Sequence, residues 1–319
     1  MKVTIITPNY NGEKYLKEYF QSLIPQKQHI DEVIIIDNNS QDESLKIIEK
    51  HKGPLNIKII QNKQNTGFAK ACNQGIKKAK TEYLLLLNND IKTTPNTIQE
   101  LIKTIQKDKN TFSVMSKMIQ YHQPKLIDTA GDEYTILTYT QKKGNNTPIN
   151  NYNTEREIFS SCAGAALYKK SIIEKIGPFD ENFFAYIEDI DLSYRAQIQG
   201  YKNIYCPTSI VYHHGSATSG SKYNPFKIKL AARNNIYLIY KNYPLPQKII
   251  NFIFIFLGHL IKYIVFYKKG QQKPYIEGIK EGLKTRKKLQ KTQYENKNLK
   301  NYLKIEYKLI INTIKLLKK

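Results

Sequence analysis

The first ninety residues alternate short β-branched runs with amphipathic segments of helical period. The predicted strands are Val3 to Thr7, Val33 to Asp37, Ile57 to Gln61 and Tyr83 to Leu87. The predicted helices lie between them, at Glu13 to Leu23, Glu43 to His51 and Gly67 to Lys80. Because parallel strands are joined by helical crossovers, this order predicts an α/β fold with a mainly parallel central sheet.

Polar residues follow three of these strands. The segments are Thr7-Pro8-Asn9-Tyr10-Asn11, Asp37-Asn38-Asn39-Ser40 and Asn88-Asn89-Asp90. Ligands of such sheets bind outside the carboxyl ends of the strands, so one shared crevice is expected. There Asp37 can accept hydrogen bonds from a base or ribose, and Asp90 can bind a divalent cation. Each segment alone is also typical of an ordinary turn.

A second group of acids lies further along the chain. Glu188, Asp189 and Asp191 occupy three of four positions and follow the aromatic run Phe183 to Tyr186. A helix predicted from Asp189 to Gln199 puts them near its first turn, where they favour the helix dipole but repel one another. A carboxylate there can act as a general base on an acceptor hydroxyl. Helix capping is the alternative for one or two of them.

The intervening region gives weaker signals. The pattern loosens from about Phe112 to Asn153, with a surface loop predicted from residue 144 to 153, and Phe159 to Tyr168 is predicted to be a buried strand. His213 follows a short predicted strand and can complete a metal site with Asp90, although paired histidines are often structural.

Charge and cysteine content indicate partners and compartment. The formal net charge is +23, and residues 268–319 hold sixteen basic and four acidic residues, a net +12. This excess favours nucleic acid, an acidic membrane surface or phosphorylated substrates, unless it reflects biased codon usage. The three cysteines are far apart, and the start of the chain does not resemble a signal peptide, so we expect a reducing cytoplasm.

One apolar run suggests a membrane contact. It extends from Ile249 to Tyr267 and is interrupted by His259 and Lys262. Because a spanning helix needs roughly 20 apolar residues with few charges, the run predicts an amphipathic or shallowly inserted helix. A core helix packed on the rest of the protein is the alternative.

Taken in this order, the segments resemble the family 2 glycosyltransferases of the GT-A fold, especially bacterial rhamnosyltransferase-like and galactofuranosyltransferase-like members. Further matching segments are Asn65-Thr66-Gly67-Phe68-Ala69, Cys162-Ala163-Gly164-Ala165-Ala166 and Gly177-Pro178-Phe179-Asp180, within about residues 1–242. The resemblance implies a GT-A-type nucleotide-binding fold. It implies a catalytic domain over residues 1–220, divided near residue 110 into nucleotide-sugar and acceptor halves. Residues 221–319 would form a helical, basic, membrane-associating extension.

The resemblance also implies roles for individual residues. Donor contacts would come from Pro8, Asn9, Asn11, Asp37, Asn39, Asn65, Gly67, Asn73, Asn88 and Asn89. Asp90 and His213 would bind Mg²⁺ or Mn²⁺, although the first acid of the family's Asp-X-Asp-like motif is Asn88 here. Asp189 would be the general base, with Glu188 and Asp191 supporting it or holding the acceptor.

The function so implied is an inverting, metal-dependent transfer of a sugar from a nucleoside-diphosphate donor. The first expectation is rhamnose from dTDP-rhamnose, moved to a hydroxyl of a cell-surface glycan or lipid-linked acceptor at the inner face of the cell membrane. No nucleic-acid partner is expected.

Three alternatives remain open. A sugar nucleotidyltransferase would show a Gly-rich phosphate loop after the first strand, which Pro8 to Gly12 is not. A nucleic-acid-binding protein could use the charge and the tyrosines, but the acids at 188–191 would then face a polyanion. An inactive assembly scaffold would not need Asp90, Asp189 and His213.

Overall fold

The computed structural model describes residues 1–215 and 224–318. Its strands are β1 (Val3–Asn9), β2 (Ile30–Asp37), β3 (Ile57–Gln61), β4 (Tyr83–Leu87), β5 (Ile91–Thr93), β6 (Thr111–Gln120), β7 (Ile127–Thr129), β8 (Asp132–Tyr134), β9 (Thr140–Lys142), β10 (Arg156–Ile158), β11 (Ala165–Lys169) and β12 (Lys202–His213). Its α-helices are α1 (Glu13–Leu23), α2 (Ser44–Lys50), α3 (Phe68–Lys78), α4 (Thr97–Gln106), α5 (Lys170–Ile176), α6 (Glu188–Ile198), α7 (Pro225–Asn242), α8 (Leu245–Ile250), α9 (Phe252–Tyr267), α10 (Gln272–Thr285) and α11 (Leu299–Leu317).

One sheet organises the described part of the chain, with the strand order β10-β12-β6-β11-β4-β1-β2-β3. Strands β1 to β4 run parallel, β6 and β12 run in the same direction, and β11 and β10 run against them. Six of these eight strands therefore share one direction, which confirms the predicted α/β fold with a mainly parallel sheet.

The sheet register explains why distant segments meet. Asn9 ends β1 opposite Asp37, which ends β2, and Asn88 follows β4 at the same edge. Strand β5 pairs antiparallel with β12, and this register places His213 opposite Ile91. His213 therefore lies beside Asp90, although 123 residues separate the two in sequence.

Strand β6, at the centre of the sheet, was missed by the sequence pattern. Its polar residues are buried and paired: Ser113 Oγ lies 2.7 Å from Asn203 Oδ1, and Ser116 Oγ lies 2.8 Å from Ser209 Oγ. These pairs break the apolar run that normally marks a central strand. The prediction of a strand from Phe159 to Tyr168 was wrong at its start, since β11 begins only at Ala165.

The C-terminal helices pack on the sheet domain. A second core cluster joins Tyr134 and Tyr194 to Tyr237 of α7 and Leu309 of α11. The predicted boundary between residues 220 and 221 lies outside the described residues, so the division into a catalytic domain and an extension stays a prediction. Among the described residues, no helix combines the length and apolar character needed to cross a membrane.

Candidate active site

A cavity of about 990 Å³ opens beside the carboxyl ends of β1 and β4. Its walls come from the strand-end loops, from the loop before α6, and from helices α7, α9 and α10. The predicted site residues on its walls are Pro8, Asn9, Asn65, Gly67, Asn88, Asn89, Asp90, Glu188, Asp189 and His213. The cavity therefore brings together the two acidic segments that the sequence singled out.

Hydrogen bonds between side chains connect the loops that follow β1, β2 and β4. Asn9 Nδ2 donates to Asp37 Oδ1 at 2.9 Å, and Asn89 Nδ2 donates to Asn9 Oδ1 at 2.6 Å. The Ser40 hydroxyl donates to the same Asp37 oxygen at 2.6 Å. Asp37 thus joins the end of β1 to the loop after β2, and it is buried behind the wall of the cavity.

Four predicted donor residues lie outside the cavity lining. Asp37 is buried among the bonds just described, and Asn39 is exposed. The Asn11 Oδ1 atom accepts from the Gln41 backbone at 2.8 Å. The Asn73 amide pairs in both directions with the backbone of Phe179, at 2.8 and 3.0 Å. Contacts of Asn11, Asp37 and Asn73 stabilise the surrounding loops, but none of the four side chains lines the cavity.

Asp90 and His213 form a site suited to a divalent cation. Asp90 Oδ1 is buried without a hydrogen-bond partner among the residues that the structure describes, while its Oδ2 lies 3.3 Å from His213 Nε2. Asp128, which the sequence analysis missed, holds the other ring nitrogen, with Oδ2 2.8 Å from His213 Nδ1. Imidazoles that bind metals usually donate their other ring N–H to a carboxylate, a backbone carbonyl or water. The donor atoms present therefore fit Mn²⁺ or Mg²⁺.

The same neighbours set the charge of the imidazole. Burial alone would lower the pKa of His213, but hydrogen bonds and charges from Asp128 and Asp90 outweigh it and raise the pKa to about 9. The opposing shift holds the pKa of Asp128 at about 2, because His213 and Lys142 overcome its burial. Charge-assisted hydrogen bonds thus orient His213 towards Asp90. A metal ion bound at Nε2 would replace the proton on that nitrogen.

The three acids of α6 have three different environments. Asp189 lines the cavity, and burial raises its pKa to about 6 against the opposing hydrogen bonds from the backbone N–H groups of Ile190 and Ala163. A carboxylate with a pKa near neutrality is suited to general-base work. Glu188 is more deeply buried; desolvation, followed by the charge of Asp189, raises its pKa well above the ordinary value. Burial thus favours the protonated form of the Glu188 carboxyl, next to Asp189.

Asp191 does not line the cavity, contrary to its predicted place beside the base. It is fully buried, and its carboxylate lies 3.0 Å from Arg195 Nε, 3.1 Å from Lys241 Nζ and 2.7 Å from Asn242 Nδ2. Burial opposes ionisation, but these partners lower the pKa of Asp191. Asp191 joins α6 to α7 and has a structural role.

A strained loop precedes Asp189. Phe184, Tyr186 and Ile187 all have positive φ, between 63° and 72°, a region that non-glycine residues rarely adopt. Asn234 of α7 holds them: its Nδ2 donates to the carbonyl groups of Phe183, Ala185 and Tyr186 at 2.7 to 2.9 Å. The C-terminal helices therefore contribute directly to the geometry around Asp189.

A second carboxylate lies close to Asp189, and the sequence analysis did not find it. Single oxygens of Asp132 and Asp189 and the sulfur of Cys162 lie within 4.8 Å of one another. Burial, followed by the charge of Asp189, raises the pKa of Asp132. The pair therefore shares its protons. The signal available in the sequence was Asp128-Thr129-Ala130-Gly131-Asp132, two acids around a glycine in a Lys-rich chain.

Comparison with known proteins agrees with this architecture. Residues 4–177, more than half of the chain, match the family described as "Glycosyl transferase family 2". A poly(ribitol-phosphate) beta-N-acetylglucosaminyltransferase of Staphylococcus aureus, TarS, is 36% identical over 104 residues, 31% of this chain and 18% of that protein. A poly-beta-1,6-N-acetyl-D-glucosamine synthase of the same organism is 24% identical over 209 residues, 65% of this chain and 48% of that one. The chain thus spans less than half the length of both curated relatives.

Two solved structures share the fold. TarS residues 1–349 with UDP-GlcNAc superposes with a TM-score of 0.60 and 20% identity, covering 96% of this chain and 91% of that one. A mannosyltransferase of Pyrobaculum calidifontis with GDP-Man and Mn²⁺ gives a TM-score of 0.56 and 14% identity, covering 99% and 87%. Both confirm the GT-A fold. The chain therefore belongs to the family 2 glycosyl transferases.

Proposed function

We propose that this protein is an inverting, metal-dependent glycosyltransferase that moves a sugar from a nucleoside diphosphate to an acceptor hydroxyl. The observation that supports this most is that Asp189, ionisable near neutral pH, shares one cavity with Asp90 and His213. A carboxylate base that shares a cavity with residues able to hold a metal suits direct displacement at the anomeric carbon. Neither alternative, nucleotidyl transfer nor nucleic-acid binding, gains support from the family assignment.

The residues divide the chemistry between them. Asp189 accepts the proton of the acceptor hydroxyl, and the oxygen attacks the anomeric carbon on the face opposite the diphosphate, so the configuration inverts. Burial raises the pKa of Glu188 and so disfavours the charged form that a competing base would need. Asn9 and Asn89 hold the donor loop in place through their mutual hydrogen bond.

Asp90 and His213 would hold the metal, with Asp128 orienting the imidazole. A divalent cation in that place would neutralise charge on the departing diphosphate. The buried, unpartnered Asp90 Oδ1 is the atom of this chain best placed to contact it.

The donor sugar is a separate question. The resemblance places dTDP-rhamnose first, followed by UDP-galactofuranose, UDP-glucose and UDP-N-acetylglucosamine. The named relatives from Staphylococcus aureus act with N-acetylglucosamine, so UDP-N-acetylglucosamine deserves equal place in any test. The acceptor is proposed to be a glycan or a lipid-linked glycan.

The test is a donor panel in which water replaces the unknown acceptor. The protein is incubated with Mn²⁺ and each nucleotide sugar, and the anomer of the released sugar is read by NMR before it mutarotates. UDP-α-N-acetylglucosamine should give β-N-acetylglucosamine, and Asp189→Asn should abolish the release. Release of the α-anomer, or equal release by the variant, contradicts the proposed mechanism.

We also propose that the protein binds the cytoplasmic face of the membrane through α9. This helix buries a charged side chain and exposes apolar ones. Lys262 is 8% exposed, whereas Phe252 and Phe256 are 68% and 58% exposed. Ile249 and Ile250 of α8 extend the same apolar surface, each at 67%. An exposed apolar helix face on a protein of net charge +23 suits an anionic lipid surface.

Flotation with vesicles of phosphatidylglycerol and phosphatidylcholine tests this. Truncation at residue 245 is unsuitable, because Leu309 of α11 lies in the shared core. The variant Phe256→Asp with Leu260→Asp should lose vesicle binding. Lys46→Glu is the control, since it changes the net charge equally at a 74% exposed side chain. Equal binding by the double variant, or equal loss in the control, contradicts the role of the apolar face.

A further inference from the structure

The cavity has a second end, formed by α7 and α9. Asp90, Asp132 and Asp189 line the cavity near the strand termini together with Lys142, which is paired with Asp128, whereas Lys227 of α7 and Lys262 of α9 line it where these helices form the wall. The aromatic side chains of Tyr139, Phe226, Phe266 and Tyr275 lie on the same walls. No residue of the mechanism described above uses this second end.

Lys262 is a buried cation without a carboxylate partner in the described part of the chain. Its Nζ donates to the Thr138 carbonyl at 2.5 Å and to Thr138 Oγ1 at 2.7 Å, and lies 4.9 Å from the centre of the Tyr139 ring. With nothing to offset the burial, the pKa of Lys262 falls to about 7. Buried ammonium groups are normally paired, so this one lacks a counter-ion.

Two further side chains of the cavity, Lys227 and His259, have polar atoms that could bind a ligand. Lys227 forms no ion pair within residues 1–215 and 224–318, and its pKa is lowered by burial and then by the charge of Lys142. His259 Nδ1 lies 2.8 Å from the Tyr275 hydroxyl, while its Nε2 is buried with no hydrogen-bond partner among the described residues. When the Tyr275 hydroxyl donates to Nδ1, Nε2 carries a proton that no group in residues 1–215 and 224–318 accepts.

The position of α9 keeps these groups in place. Gly258 packs so closely that a Cβ added to it would lie 2.1 Å from the Leu137 carbonyl oxygen. Residues 259, 262 and 266 of the helix face the cavity, while Phe252 and Phe256 on its other side are exposed. The cationic end therefore lies directly behind the apolar surface of α9.

We propose that this end of the cavity is an acceptor subsite that binds a phosphate group, with Lys262 and Lys227 contacting its oxygens and His259 Nε2 donating to it. The inference rests on the proposed glycosyl transfer, since it supplies the acceptor side of that reaction. A dianionic phosphate offers the counter-charge that both lysines lack. The aromatic walls fit the organic part of a phosphate ester.

The test is binding of butyl phosphate and dodecyl phosphate, followed by ³¹P NMR, with dodecyl maltoside as the uncharged control. Lys262→Met and Lys227→Met should each weaken binding at least tenfold. Lys262→Met should still fold, because it removes a buried ammonium group that has no counter-ion in the described part of the chain, at the loss of two hydrogen bonds to Thr138. Lys229→Met is the matched control in α7, since Lys229 is paired with Glu281 at 3.2 Å. It should bind as the wild type does.

The outcomes separate this inference from the proposed function. Stabilisation by UDP with Mn²⁺ is measured in all variants and should be unchanged. If UDP binds but neither phosphate ester does, or if the lysine variants bind the esters normally, the subsite is wrong and the transferase proposal stands. If the esters bind as expected and no nucleotide does, the proposed function fails instead. Tighter binding of dodecyl than butyl phosphate identifies a lipid-borne phosphate, and equal binding a water-soluble ester.

Discussion

Two aspartates in one turn of α6 should respond in opposite ways to the same substitution. Asp191→Asn weakens contacts with Arg195 and Lys241, whose cations are buried with it. Loss of one partner of a buried ion pair costs about 3–5 kcal/mol, and we expect the lower figure because Lys241 keeps Asp180 at 2.8 Å. The low pKa of Asp191 means that its stabilisation is present above its unfolded-state pKa and is lost as the pH falls through the folded value.

Asp189→Asn should have the reverse effect on stability. The pKa of Asp189 rises from 3.8 to about 6, so the native state binds its proton more tightly than the unfolded state. As the pH rises from about 4 to about 6, the free energy of unfolding therefore falls by up to about 3 kcal/mol. Asparagine does not ionise, so Asp189→Asn removes this loss of stability at pH 8.

Urea unfolding at pH 8 and transferase activity, measured on both variants, test this pair. Asp189→Asn should be at least as stable as the wild type and lose about 10²–10⁴-fold in kcat. Asp191→Asn should unfold at lower urea while its folded fraction keeps substantial activity. An Asp191→Asn protein of unchanged stability, or an active Asp189→Asn protein, refutes the division of roles.

Three further predictions follow from the same contacts. Asp128→Asn should weaken Mn²⁺ binding in the presence of UDP by about 10–100-fold, because His213 loses its orienting carboxylate. Calorimetry measures this, and Asp108→Asn is the control, because Asp108 pairs with Lys202 at 2.8 Å and does not line the cavity. The value of kcat/KM should rise about tenfold per pH unit up to about pH 6 as Asp189 ionises, and a flat profile from pH 5 to 7 would argue against this base. Asn234→Ala should lower both stability, by about 2–3 kcal/mol, and kcat, because three loop carbonyls lose their donor; normal kcat in the folded variant contradicts the positioning role.

Local pattern predicted the donor side of the fold well, because its strands alternate regularly with helices and end in polar loops. Asn9, Asn88 and Asp90 reach the cavity since the carboxyl ends of parallel strands share one edge. Pairing of β5 with β12 then brings His213 to Asp90. The sequence suggested this partnership, and only the sheet register supplies its physical reason.

The remaining site residues depend on contacts that no local pattern shows. Asp189 and Asp191 have the same side chain in the same helical turn, and they differ because Lys241 and Asn242 arrive from α7 fifty residues later. Asp128 and Asp132 lie in β7 and β8, two short strands that follow β6. The buried polar pairs of Ser113 and Ser116 interrupt the apolar pattern of β6, so this region carries no clear strand signal in the sequence. Lys262 was predicted to interrupt an apolar helix, but its burial against Thr138 is a tertiary contact.

The most direct test of the central claim is the thermal stability of the purified protein with Mn²⁺ and a panel of nucleoside diphosphates and nucleotide sugars. A ligand at 100 times its Kd stabilises the native state by about 2.7 kcal/mol. The account predicts a stabilising shift that needs both Mn²⁺ and a UDP or dTDP compound and that disappears in Asp90→Ala. No shift with any of these ligands, or an equal shift in Asp90→Ala, would contradict it.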